Sequence, residues 1–153
     1  MEVFSHVWPR RVLYCDLDNL LLGNVDALAA VDLPFVCMHD WKVPGILNSS
    51  LMSWSGDWRW LYEEFADSPS RWAEQYANLP KVGDQAFIED RLAERKIRPT
   101  IWKDVLPRNY FVPPEAIFPP YRRLVDETRV VAWAGKPKLW QFENLTRAFR
   151  AWL

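Results

Sequence analysis

An apolar stretch that runs straight into two carboxylates constrains this chain more than any other feature. Arg11–Leu17 (RVLYCDL) is rich in β-branched and aromatic residues, and the turn-forming pair Asp18-Asn19 follows it. Such a run reads as a buried strand of a parallel sheet, flanked by neighbours on both sides. Side chains two apart on a strand point the same way, so Asp16 and Asp18 are expected to converge where the strand ends. Ligand sites of open α/β sheets lie at the carboxyl ends of strands.

The rest of the chain alternates strand-like and helix-like segments. Asn24–Ala30 reads as a short helical turn. Leu33–Met38 and Ile46–Trp54 read as strands separated by the breaker Pro44-Gly45. After Ser55-Gly56-Asp57, the spacing of Trp58, Leu61, Tyr62 and Phe65 predicts a helix. Further helices are expected over Pro69–Asn78 and from Gly83-Asp84 to about Arg95, the latter with Phe87, Ile88 and Leu92 inward. Residues 107–120 hold five prolines and read as an extended loop. Thr128–Trp133 reads as the last strand, Gly135–Lys138 as a loop and Asn144–Leu153 as a terminal helix. The expected class is therefore α/β with a mixed sheet, in one domain spanning residues 1–153.

Composition narrows the functional classes. With 19 basic and 20 acidic residues the net charge is −1, which argues against nonspecific nucleic-acid binding. No uncharged apolar run approaches the roughly 20 residues of a membrane helix. The N-terminal MEVFSHVWPRR has no apolar core of a secretory signal, so the cytoplasm is the expected compartment. Cys15 and Cys37 sit in apolar runs and read as buried free thiols. Ten tryptophans suit either a sugar- or partner-binding surface or a small core packed with bulky side chains, and the core is the simpler account. Charge is uneven: residues 1–90 carry 6 basic and 14 acidic side chains, residues 91–153 carry 13 basic and 6 acidic. One half could hold a cation and the other an anion, although two solvated faces explain the split as well.

Several residues could carry chemistry. Asp16 and Asp18 suit Mg²⁺ or Mn²⁺, which prefer hard oxygen ligands; the alternative is a solvated turn. Asn48, taken alone, is a turn residue at a strand start. Asp84, after Gly83, is a good helix N-cap if it does nothing else. Lys138, taken alone, is an ordinary solvated lysine. Asp40, in His39-Asp40-Trp41, follows a strand and could meet a ligand there. Tyr121-Arg122-Arg123 reads as a solvated pair of arginines.

Four motifs taken in order carry a resemblance. RVLYCDLDNLLLGNVDAL (11–28), ILNSSLMSW (46–54), VGDQAFIEDRL (82–92) and VVAWAGKPKLW (130–140) resemble, in sequence order, segments of GT-A-fold nucleotide-sugar glycosyltransferases of the family-8-like bacterial kind. The resemblance implies a metal-dependent transferase that moves a sugar from a nucleotide sugar, UDP-linked by preference, to a glycan or other acceptor hydroxyl. It assigns Mn²⁺ or Mg²⁺ to Asp16 and Asp18, and sugar positioning under the anomeric centre to Asp84 and Gln85. Donor contacts fall to Asn48 and Ser49, donor or acceptor contacts to Asp40, and the β-phosphate to Gly135 and Lys138. The chain departs from the pattern at 131–134 (Val-Ala-Trp-Ala), where many members carry a metal-binding histidine.

The family's nucleotide-binding half precedes its Asp-x-Asp strand, and here ten residues stand before Arg11. The expectation is therefore a partial GT-A sheet, C-terminal and catalytic, whose unpaired edge promotes homo-oligomers. Two other readings compete. One is a non-catalytic remnant that binds sugar or a partner through its tryptophans. The other is a haloacid-dehalogenase-like Mg²⁺ phosphohydrolase with Asp16 as nucleophile and Asp18 as acid/base; there Leu20 replaces the expected Thr or Val.

Overall fold

The computed structural model describes residues 1–41, 43, 45–78, 83–107, 109–113 and 128–132. Two mixed sheets and their helices make up the architecture. The larger sheet joins β1 (Val12–Cys15), β3 (Phe35–His39), β4 (Leu47–Trp54) and β5 (Thr100–Ile101) in the order β1-β4-β3-β5. β4 runs antiparallel to both β1 and β3, and β5 is parallel to β3. β1 and β3 therefore point the same way, and their carboxyl ends meet the amino end of β4 at one rim. The smaller sheet joins β2 (Leu20–Leu21), β7 (Val130–Val131) and β6 (Phe111–Val112), with β7 central.

Strand alternation divides the core into two layers. Phe35 and Cys37 of β3, with Met52 and Trp54 of β4, face one side. There they meet Leu61 of α2 (Arg59–Asp67) and Phe87, Ile88 and Leu92 of α4 (Gly83–Glu94). Trp72 of α3 (Pro69–Gln75) packs against the same layer. Val36, Met38 and Leu51 face the other side, against Leu28 of α1 (Asp26–Ala30), Trp102 of α5 (Trp102–Val105), and Phe111 and Val130 of the small sheet. Both faces of β3 and β4 are thus covered; β3 reads as an almost continuous apolar run, whereas β4 carries Asn48, Ser49, Ser50 and Ser53 among its apolar residues. The tryptophans Trp54 and Trp102 are fully buried, as the core account of the composition requires.

Most expected elements stand within two or three residues of their sequence-derived bounds. The first strand agrees in its bounds and differs in its place in the sheet. It covers only Val12–Cys15, pairs antiparallel with β4, and lies at the margin of its sheet among the described residues. The expectation of a central parallel strand is corrected, and the reason lies in alternation. Val12 and Tyr14 pack on the helical layer, whereas Leu13 is 38% exposed. Phe4, which no motif marked, fills the space beside Trp54 with ring centroids 4.6 Å apart. The expected terminal helix, the Gly135–Lys138 loop and the Tyr121-Arg122-Arg123 cluster lie outside the described residues. Among the described residues no helix is long and apolar enough to cross a membrane.

Both cysteines are free thiols. Cys37 is buried as expected, and burial pushes its thiol up to about 12. Cys15 is only half-buried, yet burial still raises it. Burial also raises the phenols of Tyr14, Tyr76 and Tyr110. All five groups hold their protons in the folded chain at pH values where the unfolded chain, with thiols near 8.5 and phenols near 10, releases them. Stability is therefore full below about pH 8 and falls as pH rises through the alkaline range. The urea midpoint should drop steadily between about pH 9 and pH 11, and a flat profile there would contradict this burial.

Candidate functional site

The rim where β1, β3 and β4 meet is built around an irregularity in β4. Between Cys37 and Met38 of β3 the partner jumps from Met52 to Asn48, so Ser49, Ser50 and Leu51 have no partner on β3. Such a bulge must satisfy its own backbone groups. The Asn48 Oδ1 accepts the Ser50 N–H at 2.9 Å. The Ser50 carbonyl accepts the Asp16 N–H and the Asn19 side-chain amide, both at 2.7 Å. The Leu51 carbonyl accepts the Trp102 indole N–H at 3.0 Å from the opposite layer. The bulge re-aims Ser49 out of the ladder, and its hydroxyl donates to Asp84 Oδ1 at 3.3 Å.

Asp84 reaches this point from the first turn of α4, not from the cap position before it, which corrects the cap expectation. The preceding Gly83 has a φ of +72°, a left-handed conformation that a side chain would strain. It swings the chain into α4 so that Asp84 faces the amino end of β4. Asp84 Oδ1 also accepts the Gln85 N–H at 2.9 Å, and Gln85 itself is half-buried.

Asp16 enters from β1. Its Oδ1 accepts the Tyr14 hydroxyl at 2.6 Å. Burial first, then this hydrogen bond and the charges of Asp16 and Asp84, holds the Tyr14 phenol well above its ordinary range. Tyr14 thus lies within electrostatic reach of both carboxylates. The sequence reading missed Tyr14, although the same two-residue alternation applied to Asp16 would have found it.

Strand periodicity does not carry Asp18. The strand ends at Cys15, and the Asn19 N–H bonds the Asp16 carbonyl at 3.1 Å, so Asp16–Asn19 is a turn. Leu17 projects at 99% exposure while Asp18 is 8% exposed. Both carboxylates nevertheless raise the Cys15 thiol, so both lie near it. Asp40 stands on the same rim after β3, where its Oδ1 accepts the Val43 N–H at 2.9 Å. The Asn48 oxygen serves the bulge, in keeping with its turn reading. Gly135 and Lys138 lie outside the described residues.

Two hard oxygen donors, of the kind that Mg²⁺ and Mn²⁺ prefer, stand in this turn. Asp16 and Asp18 offer two carboxylates, and Tyr14 fixes one oxygen of the first. Among the described residues no group of three or more His, Cys, Asp or Glu could hold a metal by itself. A cation here would complete its shell with substrate phosphate and water, the habit of Mg²⁺. No protein-family model and no curated protein matches this chain.

Proposed function

We propose that this chain is the catalytic part of a metal-dependent glycosyltransferase with a GT-A-like sheet. It moves a sugar from a nucleotide sugar, UDP-linked by preference, to a glycan or other acceptor hydroxyl. One observation carries the reading. Ser49 and Asp84, from two resembling motifs 35 positions apart, meet through a hydrogen bond, and Asp84 also acts on the tyrosine that holds Asp16 of a third.

In this reading Asp16 and Asp18 hold Mn²⁺ or Mg²⁺, and Tyr14 keeps Asp16 in one orientation. What the bound ion supplies is Lewis-acid neutralisation of charge on the departing diphosphate. In this reading Asp84 would orient sugar hydroxyls and face the positive charge that grows at an anomeric carbon. Ser49 fixes the Asp84 rotamer, and Gln85 extends the same edge. Asn48 shapes the bulge on which Ser49 stands, and Asp40 would meet the donor or the acceptor sugar. Gly135 and Lys138 would receive the β-phosphate.

The test is a thermal-shift titration with Mn²⁺ and UDP, singly and together. A ligand that binds only the folded state adds about 2.7 kcal/mol at 100 times its Kd. The expected result is a shift that needs both components. A cooperatively folding chain with no shift would leave a non-catalytic remnant, and release of inorganic phosphate from small phosphoesters would turn Asp16 into a phosphohydrolase nucleophile.

A further inference from the structure

β1 is hydrogen-bonded to β4 on one side, and among the described residues no strand covers its other side. Exposed edges usually carry a protecting device such as proline, lysine or a bulge. Val12–Cys15 carries none of these. Exposed apolar side chains are also concentrated in this part of the sequence. Of the seven exposed large apolar side chains among the described residues, five (Val7, Trp8, Leu13, Leu17 and Leu21) fall within residues 7–21.

Charge says what fits this edge. Arg10 precedes the strand, and Asp16 and Asp18 follow it. Arg11 is turned inward, donating to the Leu33 carbonyl at 2.8 Å and to Asp32 at 3.0 Å, whereas Arg10 is exposed. A second copy laid antiparallel reverses the order of charges. With the two-fold axis at Leu13, each Leu13 meets its own copy, Val12 faces Tyr14, and Arg10 faces Asp16. Arg10 and Asp16 lie just outside the strand, each three residues from Leu13, so antiparallel pairing about Leu13 sets opposite charges across the axis. Parallel pairing in register would set Arg10 beside Arg10 and Asp16 beside Asp16, which is unfavourable.

We propose that the β1 edge is a two-fold homodimer interface, with β1 paired antiparallel to the β1 of a second copy about Leu13. The pairing is self-complementary, as a closed dimer requires. It brings the partner's Arg10 beside the rim that holds Asp16. This inference is independent of the glycosyltransferase reading.

Sedimentation velocity on the full chain over a range of micromolar concentrations tests it. The expected result is a species of twice the chain mass that dissociates on dilution and on raising salt. Leu13→Asp places acid against acid at the axis and should give a monomer. Arg10→Glu alters an exposed side chain outside the strand, so its thermal melt should match the parent while the dimer dissociation constant rises at least tenfold. A monomer at every concentration overturns the proposal. So does a dimer unchanged by Arg10→Glu, and that variant decides the matter if Leu13→Asp fails to fold.

Discussion

Trp102→Ala should cost about 4 kcal/mol of unfolding free energy, the largest single loss expected from a substitution in this chain. Trp102 is fully buried, packed among Leu28, Val36, Met38 and Leu51, with its ring 6.2 Å from that of Phe111. Truncating such a residue removes its transfer free energy and leaves a cavity that the surrounding strands cannot close. The indole N–H adds a second loss. It bonds the Leu51 carbonyl, which the bulge has removed from the β3 ladder. Trp102→Phe separates the two effects, because it keeps most of the ring and orphans that carbonyl for about 1–3 kcal/mol. Urea unfolding with a constant m-value reads both numbers. A Trp102→Phe protein as stable as the parent would show that the bulge finds another donor. Trp102 reaches the bulge from the core layer opposite Asp84, so any weakening of ligand binding in Trp102→Phe reports the grip of the bulge on Ser49.

This coupling marks what the sequence could and could not tell. The α/β alternation was legible because the core is amphipathic by element: Phe87, Ile88 and Leu92 share one face of α4, and β3 is apolar on both faces. The position of Asp84 beside Ser49 was not legible as geometry, because it depends on the bulge. A three-residue offset between strands leaves no signature in residue type, and Asn48 and Ser50 are ordinary turn formers. The edge position of β1 was misread for a related reason. Its composition is that of a covered strand, and only the exposure of Leu13 distinguishes one covered face from two. Strand periodicity likewise fails at Asp18, since a turn interrupts the chain one residue after Cys15. Tyr14, by contrast, could have been found from the sequence by asking which side chain shares a strand face with Asp16.

Asp16→Asn should abolish the whole of the Mn²⁺-dependent UDP shift, about 2.7 kcal/mol at 100 times Kd, without lowering the melting temperature of the ligand-free protein. The argument turns on what asparagine keeps. Its side-chain oxygen still accepts the Tyr14 hydroxyl, so the 2.6 Å contact has a successor. The negative charge that a hard cation requires is gone, and with it the like-charge repulsion from Asp84 and Asp18. Binding and stability should therefore move in opposite directions or part company, which distinguishes a ligand-holding carboxylate from a structural one. Asp18→Asn should lose the same shift. Tyr14→Phe leaves both carboxylates and removes only the group that orients Asp16, so affinity should fall by about 10-fold to 100-fold while the requirement for metal persists. Asp84→Asn should retain the UDP–Mn²⁺ shift and lose the additional stabilisation and the turnover expected with a UDP-sugar, because the proposed function gives its carboxylate to the sugar and not to the diphosphate. If Asp16→Asn keeps the full shift, the cation is not held by this pair, and the carboxylates at the end of β1 form a turn and nothing more.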